Sequence, residues 1–245
     1  MSAIGILYPG HSAEDDYPAL ESRLRAEGHD IALPVVHTSV GEDAHRVDAL
    51  LDLGSGHRLA EGADRLLAQA PGVDAVVWAC TSGSFVFGWD GAHEQVEALA
   101  RRTGRPATST SLAFVHACRT LGVSRVAVAA SYPRDVAQAF VSLLARAGIE
   151  VSALGSHEIV TAAEVGTLGR DRVRELVAGV DASGAGAVLV PDTAMHTLGQ
   201  VAQLEDELGT VVLTANQVSV HHGLALVGPV PTLPWLGTLF AGGTW

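Results

Sequence analysis

Residues 75–79 (Ala-Val-Val-Trp-Ala) form an apolar run that stops at Cys80-Thr81-Ser82-Gly83-Ser84. A short, β-branched-rich run with no polar alternation reads as a strand buried on both faces, the signature of a parallel sheet. Parallel strands need crossover connections, so this stretch commits its surroundings to an α/β fold. The residues after the run are helix starters, and Gly83 admits close approach to the backbone. Cys80 is thereby placed at the carboxyl end of a strand, where open α/β sheets hold their ligands. Backbone N–H groups and the positive end of a helix at that position favour a thiolate.

The remainder of the chain follows the same grammar. Apolar strands are expected over 3–8, 31–36, 125–130, 149–154, 187–190 and 210–214, with a short strand reaching Thr108. Helices are expected over 17–28, 59–70, 94–102, 111–121, 137–147, 170–180 and 218–226, several closed by glycine. The segment 39–57 carries no periodic signal, and the Pro- and Trp-bearing tail 229–245 reads as packing or interface. The plan repeats: Tyr8-Pro9 parallels Tyr132-Pro133, Cys80-Thr81 parallels Asp192-Thr193, and 111–122 parallels 217–228. Three matches in the same order predict two like halves, with Cys80 and Asp192 facing each other across a cleft. The expected class is therefore α/β, with two pseudosymmetric Rossmann-like domains, each a parallel sheet flanked by helices. One domain is assigned to 1–112 plus 219–245 and carries Cys80; the other, 113–218, carries Asp192.

Composition narrows the partners. The 245 residues carry a net charge of −12, which argues against nucleic acid and anionic membrane surfaces as partners. Two cysteines make no disulfide framework, and no signal-peptide pattern or membrane-length apolar run is evident. A soluble cytoplasmic protein is expected. Cys118, between apolar neighbours in a predicted helix, reads as packing. His221 and His222 share a helix and read as pointing apart, and no zinc, P-loop or dinucleotide-binding spacing is found.

At this point the chain resembles the aspartate/glutamate racemase superfamily, in particular its maleate cis-trans isomerase and arylmalonate decarboxylase branch. The residues that carry the resemblance are Cys80-Thr81-Ser82-Gly83-Ser84-Phe85, Gly104-Arg105-Pro106-Ala107, Ser131-Tyr132-Pro133 and Thr214-Ala215-Asn216-Gln217. The resemblance implies reactions next to a carboxylate, run by thiols in the interdomain cleft without metal or organic cofactor. It makes Cys80 the first catalytic cysteine. It makes Thr81, Ser82, Tyr132 and Thr193 holders of the substrate carboxylate, with Ser12 in the substrate-facing loop Pro9-Gly10-His11-Ser12. It also brings a small carboxylate substrate and a homodimer as expectations.

Asp192 departs from the pattern, because a second cysteine stands there in the isomerases and racemases. A thiol–carboxylate pair replaces the two thiols. For Asp192 itself a helix-capping role competes with a catalytic one. The leading expectation is a cofactor-independent isomerase, similar to maleate isomerase, acting through a Cys80 thiolate with Asp192 on the opposite face. The alternatives are a decarboxylase using the single thiol as proton donor, a racemase or epimerase using Cys80 and Asp192, and a non-catalytic carboxylate-binding protein.

Overall fold

A computed structural model of the chain describes residues 2–10 and 12–242; His11 and Trp245 of the expectations above lie outside it. The first half runs β1 (Ser2–Pro9), α1 (Asp16–Ala26), β2 (Ile31–Ala32), β3 (Val35–Thr38), α2 (Val47–Leu53) and α3 (Gly56–Gln69). It continues with β4 (Ala75–Trp78), α4 (Ser82–Phe85), α5 (Gly88–Thr103), β5 (Ala107–Ser109) and α6 (Thr110–Thr120). The second half runs β6 (Arg125–Ala130), α7 (Arg134–Arg146), β7 (Glu150–Ser156), α8 (Ala162–Gly166) and α9 (Arg170–Ala178). It ends with β8 (Ala187–Val190), α10 (Val201–Leu208), β9 (Val211–Thr214) and α11 (Ala215–Ala225). Helix α4 follows the helix starters after Cys80, whereas α2, α8 and α10 were not anticipated; all are short, and α2 lies in the segment without periodic signal.

Both sheets are parallel and share one strand order. The first is β2-β1-β4-β5, with β3 also paired to β1, and the second is β7-β6-β8-β9. In each, the chain leaves the central strand in opposite directions, so a crevice opens between β1 and β4 and again between β6 and β8. These are the topological switch points, and Cys80 and Asp192 follow β4 and β8 at equivalent places. The repeat read in the sequence is thus a repeat of topology. The central strands are sealed on both faces: Val76, Val77 and Trp78 of β4, and Val188, Leu189 and Val190 of β8, are buried.

Helix α11, which follows the last strand of the second sheet, packs against β1, β4 and β5 of the first and against α6. Gly223 allows that approach, since a Cβ there would stand 2.6 Å from Ile4 Cγ2 and 2.9 Å from Val77 Cγ2. Where α6 meets α11, His221 packs on Phe240 and His222 meets Thr108, and both rings lie near His116. His116 stacks on His222 with ring centroids 4.1 Å apart, and His221 lies 5.7 Å from His116. Burial pushes His221 down to about 4 and His222 to about 3, so both are neutral packing groups at physiological pH. Cys118 is fully buried, as expected of a packing cysteine.

Candidate active site

The loops after β1, β4 and β8 meet around a cavity of about 290 Å³. Cys80, Ser82, Asp192, Thr193 and Ser12 line it, joined by Tyr8. The two groups expected to face each other therefore do share one cavity. Thr81 and Tyr132 do not line it. The Tyr132 hydroxyl instead donates to the Pro191 carbonyl at 2.6 Å, and its ring is packed among Phe85 and His45. Thr81 is fully buried, and its carbonyl accepts from Ser111 Oγ at 2.8 Å and from the Ser84 and Phe85 amides. Both residues stand behind the cavity wall, supporting Cys80 and Asp192 from outside.

The Cys80 sulfur is only slightly exposed. The Gly83 N–H donates to it at 3.3 Å, and Ser82 Oγ lies 3.8 Å away. These donors favour a thiolate, as the sequence suggests. They are outweighed: burial, aided by the nearby Asp192 charge, pushes the thiol up to about 12. Helix α4 has a single turn and so little dipole to offer, whereas desolvation acts on the whole charge. Burial thus weighs against the thiolate that those donors favour.

Asp192 is buried and held from two sides. Its Oδ1 accepts the Ala194 N–H at 2.9 Å, and Oδ2 accepts a short hydrogen bond from Ser131 Oγ. The capping expectation is met in part, since Ala194 opens the turn after β8. Yet the carboxylate also lines the cavity, so capping does not remove it from the site. Tyr8, unassigned in the sequence, bridges the two halves: its hydroxyl donates to the Thr193 carbonyl at 2.9 Å and sits 3.0 Å from Ser12 Oγ. Burial raises the phenol well above its ordinary range, so it stays a neutral donor. The Tyr8-Pro9/Tyr132-Pro133 repeat was the available signal; of the two tyrosines it is Tyr8 that lines the cavity.

The lining also includes the apolar Val40, Ala44, Leu50, Leu53, Ala162 and Ala163. Residues 42–46 form a strap over the cavity, tied to the second half of the chain. Asp43 accepts the Ala162 and Ala163 N–H groups at 2.9 and 3.0 Å, and the His45 N–H donates to the Val160 carbonyl at 2.7 Å. Neither Asp43 nor His45 was anticipated, because their placement depends on partners about 115 residues away.

The sulfur's support runs deeper. Gln95 Nε2 donates to the Gly54 and Gly83 carbonyls at 2.8 and 2.9 Å, pinning the end of α2 against the Cys80 loop. That seam needs a glycine, since a Cβ on Gly54 would stand 1.9 Å from the Gly83 carbonyl oxygen. Backbone cannot swing aside as a side chain does. Gly54→Ala is therefore expected to cost about 3 kcal/mol, read as a lower urea midpoint. An unchanged midpoint would show the seam to be loose.

Among the described residues no group of three or more His, Cys, Asp or Glu is placed to hold a metal ion, and no helix is long and apolar enough to cross a membrane.

The arylmalonate decarboxylase family model matches residues 55–240. The maleate isomerase of Geobacillus stearothermophilus is 31% identical over 176 residues, covering 69% of this chain and 70% of that protein. The arylmalonate decarboxylase of Bordetella bronchiseptica is 28% identical over 203 residues, covering 77% and 83%. In fold, the chain superimposes with a TM-score of 0.85 on a variant of the Nocardia farcinica maleate cis-trans isomerase, at 24% identity and 99% coverage of both chains. With the repeated sheets, the switch-point cavity and these matches together, the chain belongs to the arylmalonate decarboxylase family, in the same branch as the maleate isomerases.

Proposed function

We propose that this protein is a cofactor-independent isomerase of a small cis-unsaturated dicarboxylic acid, with Cys80 as its reacting group and Asp192 as its proton partner. The observation that carries this reading is that the two residues, placed after equivalent strands of the two sheets, line one cavity. In the reaction, the Cys80 sulfur adds to one carbon of the double bond as its proton passes to Asp192. The π electron pair moves to the neighbouring carbon and into its carboxylate. Rotation about the resulting single bond, return of the pair and cleavage of C–S give the trans acid, and the sulfur regains its proton. The hydroxyls of Ser82 and Ser12 and the backbone beside Thr193 hold the carboxylate and the charge that develops on it. Support comes from the isomerase relative at 31% identity and from the Nocardia variant, which carries a succinylcysteine, the product of such an addition.

A second reading, decarboxylation of a substituted malonate, is favoured by two features: burial pushes the thiol up toward its protonated form, and much of the cavity lining is apolar. Here a C–C bond to a carboxylate breaks and carbon dioxide leaves. The electron pair stays on the α-carbon, and the Cys80 proton closes it. An enediolate is far more basic than a thiolate, so this transfer runs downhill. A cytoplasmic homodimer belongs to the same proposal; the two free cysteines fit a reducing compartment.

Proton NMR of the protein with maleate and with a set of substituted malonates tests the proposal. Fumarate formation supports isomerisation, and loss of a carboxyl group supports the second reading. Carboxylates that bind without any turnover would leave a binding protein and overturn both.

A further inference from the structure

We infer that His45 contacts the substrate, its imidazolium receiving the carboxylate that lies farther from Cys80. This rests on the carboxylate reading above and goes beyond it in naming the cation. His45 is buried and lines the cavity together with Cys80 and Asp192. Its Nδ1 lies 2.8 Å from the Ile159 carbonyl, which only accepts, so Nδ1 carries a hydrogen and Nε2 is the nitrogen left for a ligand. Nε2 has no hydrogen-bond partner among the described residues, and it is not among the polar atoms sealed in the core.

The ring is held for this task. It stands edge-on to Tyr132, with centroids 4.9 Å apart and planes at 88°. Its own backbone N–H is tied to Val160. Glu158, in the left-handed region at φ 54°, shapes the segment that presents the Ile159 and Val160 carbonyls.

Charge makes the assignment specific. Among the described lining residues there is no lysine or arginine, and Glu42, Asp43 and Asp192 are all acidic. An entering carboxylate thus meets one side chain able to offer a positive charge. The groups around that side chain are Glu42, Asp43 and Arg46 on its own strap, Tyr132 and Asp135 after β6, and Asp192 and Cys80 across the cavity. Arg46 is turned outward and paired with Glu42 and Asp48. With Nδ1 committed as a donor, a neutral ring would present the Nε2 lone pair to the anion and repel it. Donation to the anion therefore requires a hydrogen on Nε2 as well as on Nδ1.

Calorimetric titration with malonate, in two buffers of different protonation enthalpy near pH 8, measures that proton directly. The wild-type protein is expected to take up a proton with the malonate it binds, the hydrogen that Nε2 donates to the carboxylate. His45→Gln and His45→Phe are expected to bind about ten- to a hundredfold more weakly and to take up none. Phenylalanine preserves the ring against Tyr132, so a folding defect shared by both variants is not a natural outcome, and circular dichroism checks it. Cys80→Ala keeps the proton uptake. Wild-type affinity and uptake in the His45 variants would overturn this inference alone. Absence of malonate binding by the wild-type protein would overturn the carboxylate reading and this inference with it.

Discussion

Iodoacetamide is expected to alkylate Cys80 at pH 7 about a hundredfold more slowly than it alkylates free cysteine, even before access is counted. With the thiol pushed up to about 12, its thiolate fraction at pH 7 is about 10⁻⁵. Free cysteine near 8.5 has about 3 in 100, a ratio of about 3 × 10³. The more basic thiolate is the better nucleophile, and a Brønsted slope of about 0.45 returns a factor of about 40. Burial of the sulfur slows the reaction further. A Cys118→Ala background confines the label to Cys80. The rate should climb about tenfold per pH unit through pH 10 and be suppressed by malonate. A rate at pH 7 equal to or above that of free cysteine would mean that the Gly83 and Ser82 donors outweigh desolvation after all.

Under this pKa, addition by a free thiolate and donation from S–H have opposite pH dependences, whereas addition with the proton passing to Asp192 shares the flat profile of donation. Addition consumes the deprotonated sulfur; unless Asp192 takes the proton within the step, its rate rises with pH up to the thiol pKa. Donation consumes the protonated thiol, which is full throughout that range, so its rate is flat in Cys80 and falls only as pH approaches 12. A slope of one between pH 7 and 10 marks a free thiolate nucleophile, and a flat profile marks transfer from S–H.

How much of this was legible in the sequence follows from which interactions are local. Cys80 and Asp192 stand where short apolar runs end, and a buried parallel strand announces both its body and its end within a few residues. The repeat was readable because each half uses the same strand–loop–helix order. The strap 42–46 was not: its conformation is dictated by Asp43 and His45 meeting residues 159–163, and nothing in its own composition reports that. Tyr8 and Tyr132 were indistinguishable by position, since the repeat makes them equivalents. Only packing turns one toward the cavity and the other onto the Pro191 carbonyl. The burial that opposes a thiolate was hidden for a related reason. Donors are visible as residue types next to Cys80, whereas desolvation is the sum of what distant segments place around it.

The most direct test of the account is turnover by Cys80→Ala, followed by proton NMR in D₂O with whichever acid the wild-type protein converts. Alanine fills a buried small-residue position, so folding should survive with little loss. Both readings give Cys80 the reacting atom, whether as nucleophile or as proton donor, and such a group contributes about 10² to 10⁴ in rate. The expected result is a fall in turnover of at least about 10²-fold with binding of malonate retained. In the decarboxylation reading, the wild-type product also carries one deuterium at the α-carbon. Turnover in Cys80→Ala within tenfold of wild type would contradict the account, because the chemistry would then belong to another group in the cavity.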